Sequence, residues 1–217
     1  MIAAEALGLH LRDTFVRAEP HDRPFRHWLF DEALPQQTAR AIAGFAPTPA
    51  PVGDTLGRRE THNESRIFFS PDRWQRFPLA RAVADALQNP ETTSVVGRVF
   101  GRTLTGSFLR IEYCQDTEGF WLEPHTDIAA KWITIVIYLS DGPGADGWGT
   151  DLYDADKNWV GRAPAAFNQG LVFVPGGDTW HGWAKRPIDG VRRSLIVNYV
   201  SPDWRSRHEL SFPDRPV

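Results

Sequence analysis

The sequence holds one cysteine, Cys114, in 217 residues. An internal disulfide is excluded, no thiolate cluster can hold a metal, and a reducing cytoplasmic location is expected. No apolar run reaches the roughly eighteen residues that a transmembrane helix needs, so no membrane partner is expected. The first residues lack a basic stretch and carry Glu5, so no signal peptide is expected. Neither charge sign dominates: 24 Lys and Arg stand against 27 Asp and Glu, a net charge of −3. That balance argues against nucleic acid as the main partner. Internal repeats are absent, and the one biased stretch is the Pro-rich link at 47–51.

Aromatics, by contrast, are plentiful, with nine Trp and thirteen Phe. Seventeen Pro and eighteen Gly imply many turns, hence a β-rich half. Apolar periodicity places helices at 3–11, from Leu34-Pro35 onward, and at 78–87. Asn89-Pro90-Glu91 reads as an N-cap, a first-turn Pro and a favourable acid, with Gly101 closing that helix. A short apolar run at 27–30 reads as a first strand. After Gly101, strands are expected at 107–114, 131–139, 151–153, 171–174 and 192–200, separated by Gly- and Asp-rich turns. Helices followed by strands give an α+β, mainly β chain, a β-sandwich or open barrel supported by N-terminal helices. At this length one domain is expected: 1–106 as helical support and substrate-side loops, 107–200 as barrel core, 201–217 as a C-terminal tail.

The residues that carry chemistry cluster around two strands. In Pro124-His125-Thr126-Asp127 the imidazole and the carboxylate are i and i+2, which project to one side of an extended chain. A second imidazole, His181, follows the strand at 171–174 and a Pro-Gly-Gly turn. Two His and one carboxylate on one face of an octahedral ion leave the opposite positions open, as in non-haem Fe(II) oxygenases. With seven His in the chain the pair alone says little; its order ahead of the strand at 131–139 gives it weight. In the strand at 192–200, Arg192, Ser194, Ile196 and Asn198 share a face. A polar face on an otherwise apolar strand lines a pocket, and a planar guanidinium there suits a carboxylate. Taken without the metal motif, Arg192 and Arg193 read more readily as surface charges at a strand end.

The order H-T-D, then TIVIYLSD, then LVFVPGGDTWHG, then RRSLIVNYV resembles the Fe(II)- and 2-oxoglutarate-dependent oxygenases, in particular their prolyl-hydroxylase-like branch. The resemblance covers about residues 107–200. It implies a double-stranded β-helix, a jelly-roll or cupin-like barrel. It implies Fe(II) held by His125, Asp127 and His181, with 2-oxoglutarate as cosubstrate and O2 as oxidant. Arg192, Ser194 and Tyr138 would hold the far carboxylate of 2-oxoglutarate, and Tyr113 matches another tyrosine of that pocket. No separate catalytic side chain is implied beyond the metal ligands. The expected reaction is hydroxylation or another oxidation of an unactivated C–H bond, with release of succinate and CO2. Retention of Asp127, which halogenating relatives replace by Gly or Ala, points away from halogenation.

Candidate substrate residues are Arg58 and Arg66 in the charged loop at 52–66, Arg110, Trp121, Trp183 and Asn198. The bland and favoured reading of that loop is a solvated charge run, with its arginines balanced by Glu60 and Glu64; a mobile lid is the alternative. A small molecule such as an amino acid or specialised metabolite is the expected substrate. A protein substrate of the prolyl type is the alternative, and a non-oxygenase cupin-like metal protein or a 2-oxoglutarate sensor is the further one. The sequence does not fix the oligomeric state.

Overall fold

The run Lys-Trp-Ile-Thr-Ile-Val-Ile-Tyr is mostly β-branched and aromatic, which favours a strand buried on both faces. In the computed structural model, which describes residues 4–47, 49, 53–59 and 65–217, it forms β6 (Lys131–Tyr138). Thr48, Ala50 and Pro51 of the Pro-rich link and Glu60 to Glu64 of the charged loop lie outside the described residues.

Beside β6 lies β11 (Arg192–Val200), and beyond that β4 (Phe108–Asp116). They centre an antiparallel seven-stranded sheet. Its flanks are β3 (Arg66–Phe68) on one side and, on the other, β9 (Gly170–Phe173), β2 (His27–Phe30) and β1 (Glu19–His21). A second antiparallel sheet holds β5 (Leu122–His125), β10 (His181–Trp183), β7 (Asp151–Tyr153) and β8 (Trp159–Arg162), in that order.

Strand alternation divides the large sheet into two faces. Leu109, Ile111 and Tyr113, Ile133, Ile135 and Ile137, and Leu195, Val197 and Tyr199 join one apolar core with the helices. Those helices are α1 (Ala4–Val16), α2 (Gln36–Ala43), the short α3 (Pro71–Trp74), α4 (Pro78–Gln88) and α5 (Pro90–Phe100). Leu7, Leu11 and Phe15 recur every fourth residue of α1, so one stripe meets α4 and α5. The Asn89 side chain accepts the Glu91 N–H at 2.9 Å to open α5, and Gly101 closes it at φ 74°. The other face of the large sheet offers Val136, Tyr138, Leu171 and Phe173 to Leu152, Ala163 and Ala165 of the small-sheet side.

Two parts of the expected organisation differ. Residues 1–106 supply three strands of the large sheet as well as helices, because β2 pairs with β9 and β3 with β4. Residues 201–217 pack inward: Phe212 is buried in the main core, and Leu210 bridges to Arg110. Gly149, in the loop before β7, lies against the chain after β8; a Cβ there would sit 1.9 Å from the Ala163 carbonyl oxygen. Gly149→Ala is expected to lower stability by about 1–3 kcal/mol, read as a lower urea midpoint at unchanged slope.

Candidate active site

A cavity of about 550 Å³ is bounded by both sheets and by the C-terminal residues Trp204 and Glu209. Its wall from the large sheet includes Arg110, Glu112, Thr134, Val136, Arg192 and Ile196, which the register aligns on neighbouring strands.

His125 ends β5 and His181 begins β10, and the two are direct cross-strand partners. Gly182 permits the close approach: a Cβ there would lie 3.0 Å from the carbonyl oxygens of Leu122 and Glu123. Ligand atoms of His125, Asp127 and His181 lie within 4.8 Å of one another. Each imidazole is oriented by its Nδ1, 2.8 Å from the Glu123 carbonyl for His125 and 2.9 Å from the Thr179 carbonyl for His181. A carbonyl only accepts, so Nδ1 carries the proton and donates it. The Nε2 lone pair is thereby left for a metal. Burial, only partly offset by Asp127, pushes the His181 pKa down to about 4, so this ring is neutral at neutral pH. Burial alone would raise the Asp127 pKa. Lys131 and then His181 outweigh it and hold the carboxyl well below the usual carboxylate range. Two imidazoles and a carboxylate form a donor set that suits Fe(II) and other divalent first-row ions alike.

Along β11, Arg192 is buried with its Nε donating to the Trp148 carbonyl at 2.7 Å and its Nη1 to Asp116 at 2.5 Å. The other Asp116 oxygen takes Arg59 Nη1 at 3.0 Å. Two guanidiniums thus share one carboxylate at the cavity wall, a local surplus of positive charge. Arg192 Nη2 makes no hydrogen bond among the described residues. Two residues on, the fully buried Ser194 Oγ also has no partner among them. An anion fits the unspent Arg192 donor at the cavity wall, whereas Ser194 does not itself line the cavity.

Further along the same face, Glu112 is buried between Arg66, whose Nε lies 2.8 Å from Oε2, and Arg110, whose Nη1 lies 2.9 Å from Oε1. Arg110 also meets Glu209 at 2.6 Å and Asn198 Oδ1 at 3.1 Å. Asn198 Nδ2 donates to Thr134 Oγ1 at 3.0 Å, and Thr134 donates to Asp127 Oδ2 at 2.7 Å. Asn198 therefore reaches the triad through Thr134 and does not line the cavity.

Of the other expected site residues, Arg58, Arg66, Arg110 and Trp183 line the cavity. Tyr113 does not: it faces the helices, and its hydroxyl donates to the Ala43 carbonyl at 2.9 Å. Tyr138 shares the inward face with Ser194, its register partner, but its hydroxyl donates to Thr150 Oγ1 at 2.8 Å and accepts the Thr150 N–H at 3.2 Å. Thr150, not Tyr138, lines the cavity. Trp121 stands outside it, with Nε1 donating to Asp54 at 2.5 Å. Asp116, Lys131, Thr134 and Thr150 were not singled out as site residues by sequence reasoning. Thr134 alone carried a signal, since alternation sets it with Val136 and Tyr138.

No protein-family model matches the sequence, and no curated protein matches it. Solved structures do. A prolyl-4-hydroxylase of Pseudomonas putida aligns at TM-score 0.57 and 15% identity, over 90% of this chain and 94% of that one. A prolyl hydroxylase of Trichoplax adhaerens, solved with a peptide fragment of the hypoxia inducible factor oxygen degradation domain, aligns at TM-score 0.56 and 14% identity, over 91% and 90%. An oxidoreductase of the 2OG-Fe(II) oxygenase family from Burkholderia pseudomallei aligns at TM-score 0.50 and 18% identity, over 74% and 76%. By fold, this chain stands with the prolyl hydroxylases and the 2OG-Fe(II) oxygenases.

Proposed function

We propose that the chain is an Fe(II)- and 2-oxoglutarate-dependent oxygenase that oxidises an unactivated C–H bond of a small molecule. On this reading its two sheets are the halves of a double-stranded β-helix. One observation carries the proposal: the His125, Asp127 and His181 donors converge on the same cavity that Arg192 lines with surplus positive charge. Fe(II), when bound, supplies O2 activation at its open coordination positions.

The chain's own residues do the rest. The Glu123 and Thr179 carbonyls fix both imidazoles with Nε2 toward the metal. Arg192 Nη2, together with the nearby Thr150 hydroxyl, receives the distal carboxylate of 2-oxoglutarate. Val136, Ile196 and Phe173 make the intervening wall apolar and keep water from the reacting centre.

A cavity of about 550 Å³ accommodates a cosubstrate and a small second molecule, which supports the small-molecule reading. A peptide substrate is the second reading. It is favoured by Ile128, which lines the cavity yet is 60% exposed, and by the peptide in the Trichoplax structure. Succinate release on addition of free amino acids, against proline-containing peptides, separates the two.

Arg192→Lys keeps a cation beside Asp116 but loses the fork. It is expected to raise the 2-oxoglutarate concentration for half-maximal succinate release by about tenfold or more. An unchanged requirement would place the anchor elsewhere. Tight metal binding with no succinate release from any substrate would favour a cupin-like protein or a sensor.

A further inference from the structure

Both Asp127 oxygens are already engaged, and by unlike partners. Thr134 donates to Oδ2 at 2.7 Å from a buried strand position, and Asn198 and Arg110 hold Thr134 in turn. Oδ1 instead faces the Lys131 ammonium at 2.5 Å. The Lys131 side chain is 20% exposed and that of Asp127 is 5%. Lys131 sits on four flexible methylenes at the start of β6 and lines the cavity. A divalent ion held by His125, His181 and Asp127 would meet this ammonium at the carboxylate, and two cations that close repel.

We propose that Lys131 is the resident counter-ion of Asp127 and that metal binding here is a cation exchange. The metal takes Oδ1 and expels the ammonium into the cavity, while Thr134 keeps Oδ2 and the carboxylate stays oriented. The inference rests on the metal-site reading given above. It makes Lys131 a positioning residue of the metal-free state and a brake on metal affinity, and it leaves the loaded site with one extra cation at the cavity wall.

The chain has three lysines, Lys131, Lys157 and Lys185, so its side-chain ammonium signals are few. Lys157 lies over Trp180 and Lys185 pairs with Asp54, and neither lines the cavity. Two measurements test the proposal. In calorimetric titration with Zn(II), a redox-inert probe, Lys131→Met is expected to bind about tenfold more tightly than the unaltered protein, because no counter-ion has to leave. In the unaltered protein labelled with 15N-lysine, the Lys131 ammonium resonance is expected to shift on Zn(II) loading while the other two stay. Its assignment comes from the spectrum of Lys131→Met. Equal or weaker Zn(II) binding by Lys131→Met would overturn the proposal, since Lys131 would then only hold Asp127 in place. An unmoved Lys131 resonance in zinc-loaded protein would overturn it too. If the unaltered protein and His181→Ala titrate alike, the metal-site reading falls and the exchange falls with it.

Discussion

His181→Ala is expected to lower affinity for Fe(II) at least about 100-fold and to abolish 2-oxoglutarate turnover. Loss of an outer partner of a metal ligand typically costs about 10- to 100-fold, so loss of one ligand in three costs no less. His181 is buried, held neutral, fixed by Thr179 and packed on Phe173 with ring centroids 4.7 Å apart. Alanine therefore also removes a packed ring, and activity alone would not separate a lost ligand from a damaged wall. Metal-linked stability does. A ligand at about 100 times its dissociation constant stabilises the folded state by about 2.7 kcal/mol. Thermal midpoints with and without metal should differ in the unaltered protein and coincide in His181→Ala. Asp127→Asn, which keeps the side-chain shape, should behave likewise. A metal-dependent rise of equal size in either variant would remove that residue from the ligand set.

Glu112→Gln is expected to cost about 3–5 kcal/mol of folding stability. Its carboxylate is buried between the Arg66 and Arg110 guanidiniums, and an amide puts N–H donors against cations. Burial by itself would raise the Glu112 pKa; Arg110 first and Arg66 next outweigh it and hold the group well below the usual carboxylate range. A folded pKa below the unfolded value, about 4.3, gives stability that is complete above that value and lost as pH falls toward the folded pKa. The deficit of Glu112→Gln should therefore be full at neutral pH and shrink as the pH drops below about 5. Urea midpoints across that range measure it. A deficit constant with pH would mean that the carboxylate charge contributes nothing. Arg110 also links through Asn198 and Thr134 to Asp127, so weaker metal binding is expected to accompany the loss.

Much of this arrangement was legible in the residues. The strands at 27–30, 151–153 and 192–200 coincide with β2, β7 and β11, and the helix from Pro90 to Gly101 has its expected caps. Each is marked by local chemistry: β-branched runs, turn residues, an Asn cap. Parity along β11 set Arg192, Ser194 and Asn198 on one face. The same parity was available for β4, where Tyr113 goes with Leu109 and Ile111 against the helices and Arg110 goes with Glu112 toward the cavity. Family likeness had drawn Tyr113 to the wrong side. Short strands were hidden: β5 and β10 have four and three residues, and what defines them is the pairing of His125 with His181 across the chain. Ion-pair choice was hidden as well. Nothing local says that Asp116 bridges Arg59 and Arg192, or that Lys131 turns back onto Asp127. The Asp116 partners follow from tertiary distance, and Lys131, though four residues from Asp127, lies outside a helix, where that spacing fixes no contact.

The most direct test of the central claim is an anaerobic titration of the metal-free protein with Fe(II) and then 2-oxoglutarate, followed in the visible spectrum. The expected result is a weak charge-transfer band that forms only when both are present, fails to form in His181→Ala, and needs far more 2-oxoglutarate in Arg192→Ala. Iron binding with no band on addition of 2-oxoglutarate would contradict the account and leave a metal site of another kind.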